Sequence, residues 1–206
     1  RATHTMKLLL LSILLCTQVF SANIYLSSKV YQDMPYTDVF KNDGALVMNV
    51  EDSSVKTLIP QLENIFKVKL ESRPESHITL ITPPNFTGEF NPGKIGLNTV
   101  YTADDIHKKF HSSIQQTNFK VLCIGSREND QGNLVFFLVV DAPELFTMRK
   151  ELQTEYFKKA KEDNKPAYFD YLDFYPHITI GYVKGDVHGV SKGTETCLAN
   201  HNLIIK

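Results

Sequence analysis

Two tetrapeptides, His77-Ile78-Thr79-Leu80 and His177-Ile178-Thr179-Ile180, decide how this chain reads. Each has the form histidine, aliphatic, threonine, aliphatic. Each lies in a β-rich run: Ser76 to Ile81, stopped by Pro83-Pro84, and Pro176 to Tyr182. Alternate side chains of a strand face the same way, so each histidine projects beside its own threonine while the aliphatics pack on the other side. With seven histidines in the chain, two His-x-Thr matches alone would arise by chance in roughly 10% of such sequences; requiring aliphatics at the four partner positions lowers this below about 1%.

Outward from these runs the hydrophobic periodicity sets the remaining elements. Gly44 to Val50 reads as a strand. Ser54 to Phe66 places Val55, Leu58, Ile59, Leu62, Ile65 and Phe66 on one helical face, with Pro60 starting or kinking it. A long Gly/Pro/Asn loop runs from Pro83 to about Tyr101. Thr102 with Asp105 caps a helix that buries Ile106, Phe110 and Ile114 and is expected to end near Gln116. Phe119 to Ile124 and Asn133 to Val140 flank an Asn/Asp/Gly turn and form a hairpin. A long helix follows on Leu145, Met148, Leu152, Tyr156 and Ala160, with lysines at its C-terminal end where they suit the dipole. The tail Leu203 to Ile205 reads as a last edge strand. The order strand, helix, His strand, helix, then hairpin, helix, His strand predicts a mixed α+β sheet of two similar halves.

The paired motif resembles the 2H phosphoesterase superfamily, LigT-like RNA phosphoesterases and related cyclic-nucleotide phosphodiesterases among them. The resemblance covers most of Gly44 to Val183. It implies a bilobal α+β fold, two pseudo-symmetric mixed or antiparallel sheet lobes with flanking helices, each lobe contributing one His-x-Thr strand to a central groove. It also implies that His77 and His177 are the catalytic pair and that Thr79 and Thr179 hold the phosphate. The chain departs from better-known members in its apolar leader, its long inter-motif segment, and basic residues that are not concentrated beside the motifs.

The chemistry also follows from the residue types. A phosphodiester is cleaved by an oxygen nucleophile that loses a proton while the leaving oxygen gains one. Imidazole, with an ordinary pKa near 6.5, can serve either end at neutral pH. Two threonine hydroxyls can donate to the non-bridging oxygens as charge grows on them. The expected activity is a metal-independent phosphodiesterase acting on a nucleotide or RNA phosphodiester of 2′,3′-cyclic or 2′-5′ type, with no cofactor and no metal. The alternatives are a secreted nucleotide-binding protein without turnover and, behind it, a histidine-metal protein. The bland reading of each histidine is a half-buried strand residue satisfied by backbone, and that of each threonine is ordinary β-propensity. His107 and His111 share a helix face but lack the glutamate of a zinc protease motif, so a solvated face is expected there. His188 and His201 show no recognisable partner. Strand parity points Tyr182 away from His177 and toward the core. Tyr175 shares the histidine's parity and is a candidate substrate contact, as is Phe86 in the long loop.

The formal net charge of -1 argues against a broad grip on long nucleic acid, so the expected partner is a small nucleotide or short oligonucleotide. Met6-Lys7 followed by apolar Leu8 to Cys16 and small residues at Ser21 and Ala22 reads as a secretory signal peptide. Residues 1–22 are therefore set apart as upstream residues plus leader, and 23–206 as a single domain. The protein is expected to be secreted and monomeric, with no stable membrane association. In an oxidising compartment Cys123 and Cys197 are candidates for a disulfide, and Asn85-Phe86-Thr87 is an N-glycosylation acceptor.

Overall fold

The computed structural model describes residues 22–38 and 40–206; of residues 1–22, set apart as upstream residues plus leader, 1–21 lie outside the described residues and Ala22 opens the first strand. In chain order the elements are β1 (Ala22–Leu26), β2 (Leu46–Val50), α1 (Asp52–Lys56), α2 (Leu58–Phe66), β3 (Ser76–Ile81), α3 (Pro83–Thr87), α4 (Ala103–Ile114), β4 (Lys120–Glu128), β5 (Leu134–Asp141), α5 (Pro143–Glu162), β6 (His177–Val183) and β7 (His201–Ile205), with short 3-10 turns between. The architecture is α+β. Strands β2-β3-β6-β5-β4 form one five-stranded sheet, antiparallel at every junction. Strand β1 pairs in parallel with β7 in a separate two-stranded sheet.

Local chemistry explains the helices. The predicted helix over 54–66 is two, separated at Thr57. Pro60 is the third residue of α2, where a missing N–H takes nothing from the helical ladder. Thr102 and Asp105 cap α4 reciprocally: the Asp105 amide donates to the threonine hydroxyl, and the Asp105 carboxylate accepts from the Thr102 amide at 2.8 Å. The long loop after β3 holds α3, where Asn85 caps the helix start; its half-buried Oδ1 accepts from the Thr82 amide and from Arg149. That side chain, read as a glycan acceptor, is thus built into the fold.

A pseudo-twofold runs through the sheet at the Ile78–Ile178 pair. Rotation about it exchanges β3 with β6 and β2 with β5, and both outer ladders slip at equivalent places. In one, Val47 faces Thr79 and Leu46 faces Ile81. In the other, Phe137 faces Thr179 and Phe136 faces Gly181. Leu80 and Ile180 are therefore the extra residues of two matching bulges, each directly after the motif threonine. The second bulge corrects the parity argument for Tyr182: past Ile180 the alternation is out of phase, and Tyr182 packs with Val135 and Phe137 on the histidine side of the sheet. Gly181 serves the same region, since a Cβ there would stand 2.8 Å from the carbonyl oxygen of Glu71, whose backbone pairs with Tyr182.

The sheet carries unequal cores. Met48, Ile78, Leu80, Phe136, Leu138, Ile178 and Ile180 belong to the large core shared with the helices. Val135, Phe137, Val139 and Val187 form a small cluster on the other side, against Cys123 and Cys197, which form a disulfide. Inside the large core, the buried stripe of α5 includes Arg149, only 1% exposed. Its guanidinium donates to the carbonyls of Leu80, Asp170, Tyr171 and Asp173 and lies between the rings of Phe169 and Phe174, at 4.6 and 4.8 Å from their centroids. One side chain thus joins the bulge of β3 to the aromatic segment that delivers His177.

Candidate active site

The β3–β6 register decides the site. With Ile78 opposite Ile178, the antiparallel ladder sets His77 across from Thr179 and Thr79 across from His177. All four side chains leave the same face, opposite to the aliphatics. Neighbours directly across such a ladder are about 5 Å apart and diagonal ones roughly 7 to 8 Å. The two imidazoles lie on one diagonal of this face, and the two threonines occupy the other.

The histidines have different surroundings. The Nδ1–H of His177 donates to the carbonyl of Tyr175 at 2.7 Å, which fixes the tautomer and leaves Nε2 with its lone pair. That nitrogen is 3.2 Å from Nζ of Lys192. The ring stands edge-on to Phe137, centroids 5.6 Å apart. Burial, then the Lys192 charge, pulls the His177 pKa down to about 3. His77 packs against Phe40 at 4.9 Å, and its Nδ1 is buried without a hydrogen-bond partner, with Oε1 of Glu75 at 3.7 Å. Burial, then Arg73, lowers its pKa to about 4.

A charged network connects these groups. Arg73 donates to Asp186 at 2.8 Å, and the other oxygen of Asp186 accepts from the Val187 amide at 2.8 Å and lies 3.6 Å from Nζ of Lys192. Burial pushes the Asp186 carboxyl up, but Lys192 and Arg73 more than offset this and hold it below the usual range. Lys192 is 4% exposed, and its pKa is lowered, chiefly by burial, with Asp186 opposing. His188, expected to have no partner, belongs to the same cluster: burial lowers its pKa and Asp186 works against the shift. The segment that brings these groups in, residues 184–197, lies over the histidine face. Val187 is buried there, the Ser191 carbonyl accepts from Arg127 at 3.0 Å, and the disulfide closes its far end.

Arg73, Asp186 and Lys192 were missed in the sequence. They sit outside the two strands, and although basic residues are not concentrated beside the motifs in the sequence, folding brings Arg73 and Lys192 close to the two histidines. Tyr175 contributes its carbonyl to His177, while its side chain, 42% exposed, lines a cleft of ≈ 190 Å³ with Leu122, Phe146, Phe174 and Lys192. Phe86 packs instead into the large core. His107 is not on a solvated face: it is buried, with Nε2 2.9 Å from the Ala45 carbonyl and Nδ1 against the Tyr36 hydroxyl. His201 lies beside Phe66, ring centroids 5.2 Å apart.

Residues 46–188 fit the family model described as 2H-SAK: Swiss Army Knife, 2H phosphoesterase domain. The match spans both His-x-Thr strands, Arg73 and Asp186, and stops short of Lys192. No curated protein and no solved structure matches the chain.

Proposed function

The chain belongs to the 2H phosphoesterase family and is a phosphoesterase, and from that premise we propose that it is a metal-independent phosphodiesterase in which His77 and His177 act as acid and base. The proposed substrate is a nucleotide or RNA phosphodiester of 2′,3′-cyclic or 2′-5′ type. One observation supports this reading: the antiparallel register of β3 against β6, which puts both histidines and both threonines on one face of the sheet.

The reaction follows from that arrangement. An oxygen nucleophile, water on a cyclic ester or the free neighbouring ribose hydroxyl on an open one (the 3′-hydroxyl of a 2′-5′ link), forms a bond to phosphorus and gives its proton to one imidazole. The bond from phosphorus to the leaving oxygen breaks, and that oxygen takes a proton from the other imidazole. Positioned acid and base groups each contribute roughly 10² to 10⁴-fold. Thr79 and Thr179 would donate to the two non-bridging oxygens as their charge rises. Burial leaves both rings neutral near pH 7 in the free protein. The phosphodiester anion is therefore needed to favour the protonated form of one of them, which couples substrate binding to the arming of the acid. A secreted, oxidising location is part of this proposal, supported by the Cys123–Cys197 bond and the apolar leader.

The test is a panel of 2′,3′-cyclic mononucleotides and 2′-5′ and 3′-5′ linked dinucleotides incubated with the protein in EDTA, alongside His77→Ala and His177→Ala. Turnover of a cyclic or 2′-5′ linkage that survives the chelator and is lost in both variants is expected. Turnover retained by both variants would overturn the two-histidine mechanism, and tight binding without turnover would point to a nucleotide-binding protein.

A further inference from the structure

Lys192 is used in a way that a purely structural lysine would not need. A buried ammonium loses several kcal/mol of hydration, so it is normally tied down by a close carboxylate. Here the carboxylate paired with it, Asp186, is 3.6 Å away and is shared with Arg73 and the Val187 amide, each closer at 2.8 Å. The closer contact of Lys192 is instead the lone pair of His177 Nε2 at 3.2 Å, with the face of Phe137 5.5 Å away. The ammonium is thus held loosely by the one nitrogen of His177 that can take a proton, beside the face where a phosphate would sit.

We propose that Lys192 is a third functional group of this site and makes His177 the base of the pair: held on Nε2 of His177 in the free protein, its ammonium moves to a non-bridging oxygen of the bound phosphodiester, and Nε2 is then open to the nucleophile's proton. The inference rests on the two-histidine reading above and gives it a direction. His177 faces Lys192, Asp186, His77 and the Tyr175 carbonyl; the nearest full charge is a cation, which disfavours imidazolium and keeps the ring ready to accept. His77 faces Arg73, Asp186 and Glu75. Its orphaned Nδ1 lies 3.7 Å from the Glu75 carboxylate, and a small rotation would let that carboxylate accept from Nδ1–H and steady the protonated ring. The attacking oxygen therefore gives its proton to Nε2 of His177 as it bonds to phosphorus, and the leaving oxygen takes one from His77 as its bond breaks. Arg73 stays on Asp186, so the departure of Lys192 leaves no carboxylate unpaired.

The experiment compares Lys192→Met, Lys192→Gln and Lys192→Arg with the two histidine variants on a 2′,3′-cyclic mononucleotide, with thermal unfolding as the check on folding. Loss of a preorganised charge to the transition state predicts a fall in kcat of about 10² to 10³-fold in K192M and K192Q, with partial recovery in K192R. Inorganic phosphate, used as a competitive probe, should inhibit K192M more weakly than the parent. An NMR titration of the His177 ring should move upward by about one pH unit in K192M, a shift that a packing role would not produce. If K192M does not fold, K192Q supplies the same readings with a polar side chain in place. Wild-type kcat to within about threefold in K192M, with the His177 titration unmoved and H77A and H177A inactive, overturns the role of Lys192 and leaves the two-histidine reading intact. Full activity in H77A and H177A overturns that reading itself.

Discussion

His77 and His177 share a motif, a face and a depressed pKa, and the depression has a consequence for stability that can be measured apart from catalysis. Folding lowers His177 to about 3 and His77 to about 4, whereas an unfolded imidazole titrates near 6.5. Between those values the unfolded chain binds protons that the folded chain does not, so stability is full above about pH 6.5 and is lost as the pH falls through the window below it. Thermal unfolding midpoints should therefore drop steadily from pH 7 to 4.5, and His177→Gln should flatten that slope; an identical slope in the variant would mean that His177 does not titrate as its burial requires. At this scale the sequence was informative where a rule of period two applied. The four residues 77, 79, 177 and 179 share a face because strands alternate, and that is readable from the letters. Lys192 and Asp186 were not readable, because they reach His177 through a strap whose course depends on where Cys197 is anchored.

Among the elements, α5 does more than cover the sheet. Arg149 extends from it to bind the free carbonyl of the β3 bulge and three carbonyls of the segment before β6. It thereby couples the position of one His-x-Thr strand to the approach of the other. Replacing it with leucine would leave several buried carbonyls without donors, at roughly 1 to 3 kcal/mol each. R149L should lose about 3 kcal/mol or more in denaturant unfolding, and R149K should recover only part, because an ammonium cannot reproduce the planar fork. A loss below about 1 kcal/mol would show that the guanidinium is not the tie described. The helices were legible from their apolar stripes and caps, Thr102 with Asp105 above all. The matching bulges at Leu80 and Ile180 were not, because a bulge is a relation between two strands and exists only once the partner is known. That is why the parity argument worked for Thr179 and failed for Tyr182. Arg149 was hidden for a similar reason: a charged letter inside an apolar stripe reads as a solvated edge until the carbonyls that receive it are in place.

For the whole molecule, the two halves meet in one sheet. The β3–β6 seam is both the axis of the pseudo-twofold and the floor of the site, so the symmetry that repeats the motif also brings its copies together. Around that seam the Cys123–Cys197 bond, with a sequence separation of 74, fastens the strap over the histidine face and stabilises the fold by roughly 4 kcal/mol on a chain-entropy estimate. The β1–β7 pairing of the first and last described strands was beyond a reading by local pattern, since it links segments from opposite ends of the sequence. The central claim is that both imidazoles act on the same phosphorus atom, and a double-mutant cycle tests it most directly. The kcat/KM of the wild type, His77→Ala, His177→Ala and the double variant would be measured on one 2′,3′-cyclic mononucleotide in EDTA. Residues that work as one unit are strongly non-additive: each single variant should lose most of the activity, and the double variant should fall no more than about tenfold further. Losses that multiply, so that the double variant falls by the product of the two single effects, would contradict a shared phosphorus and with it this account of the site.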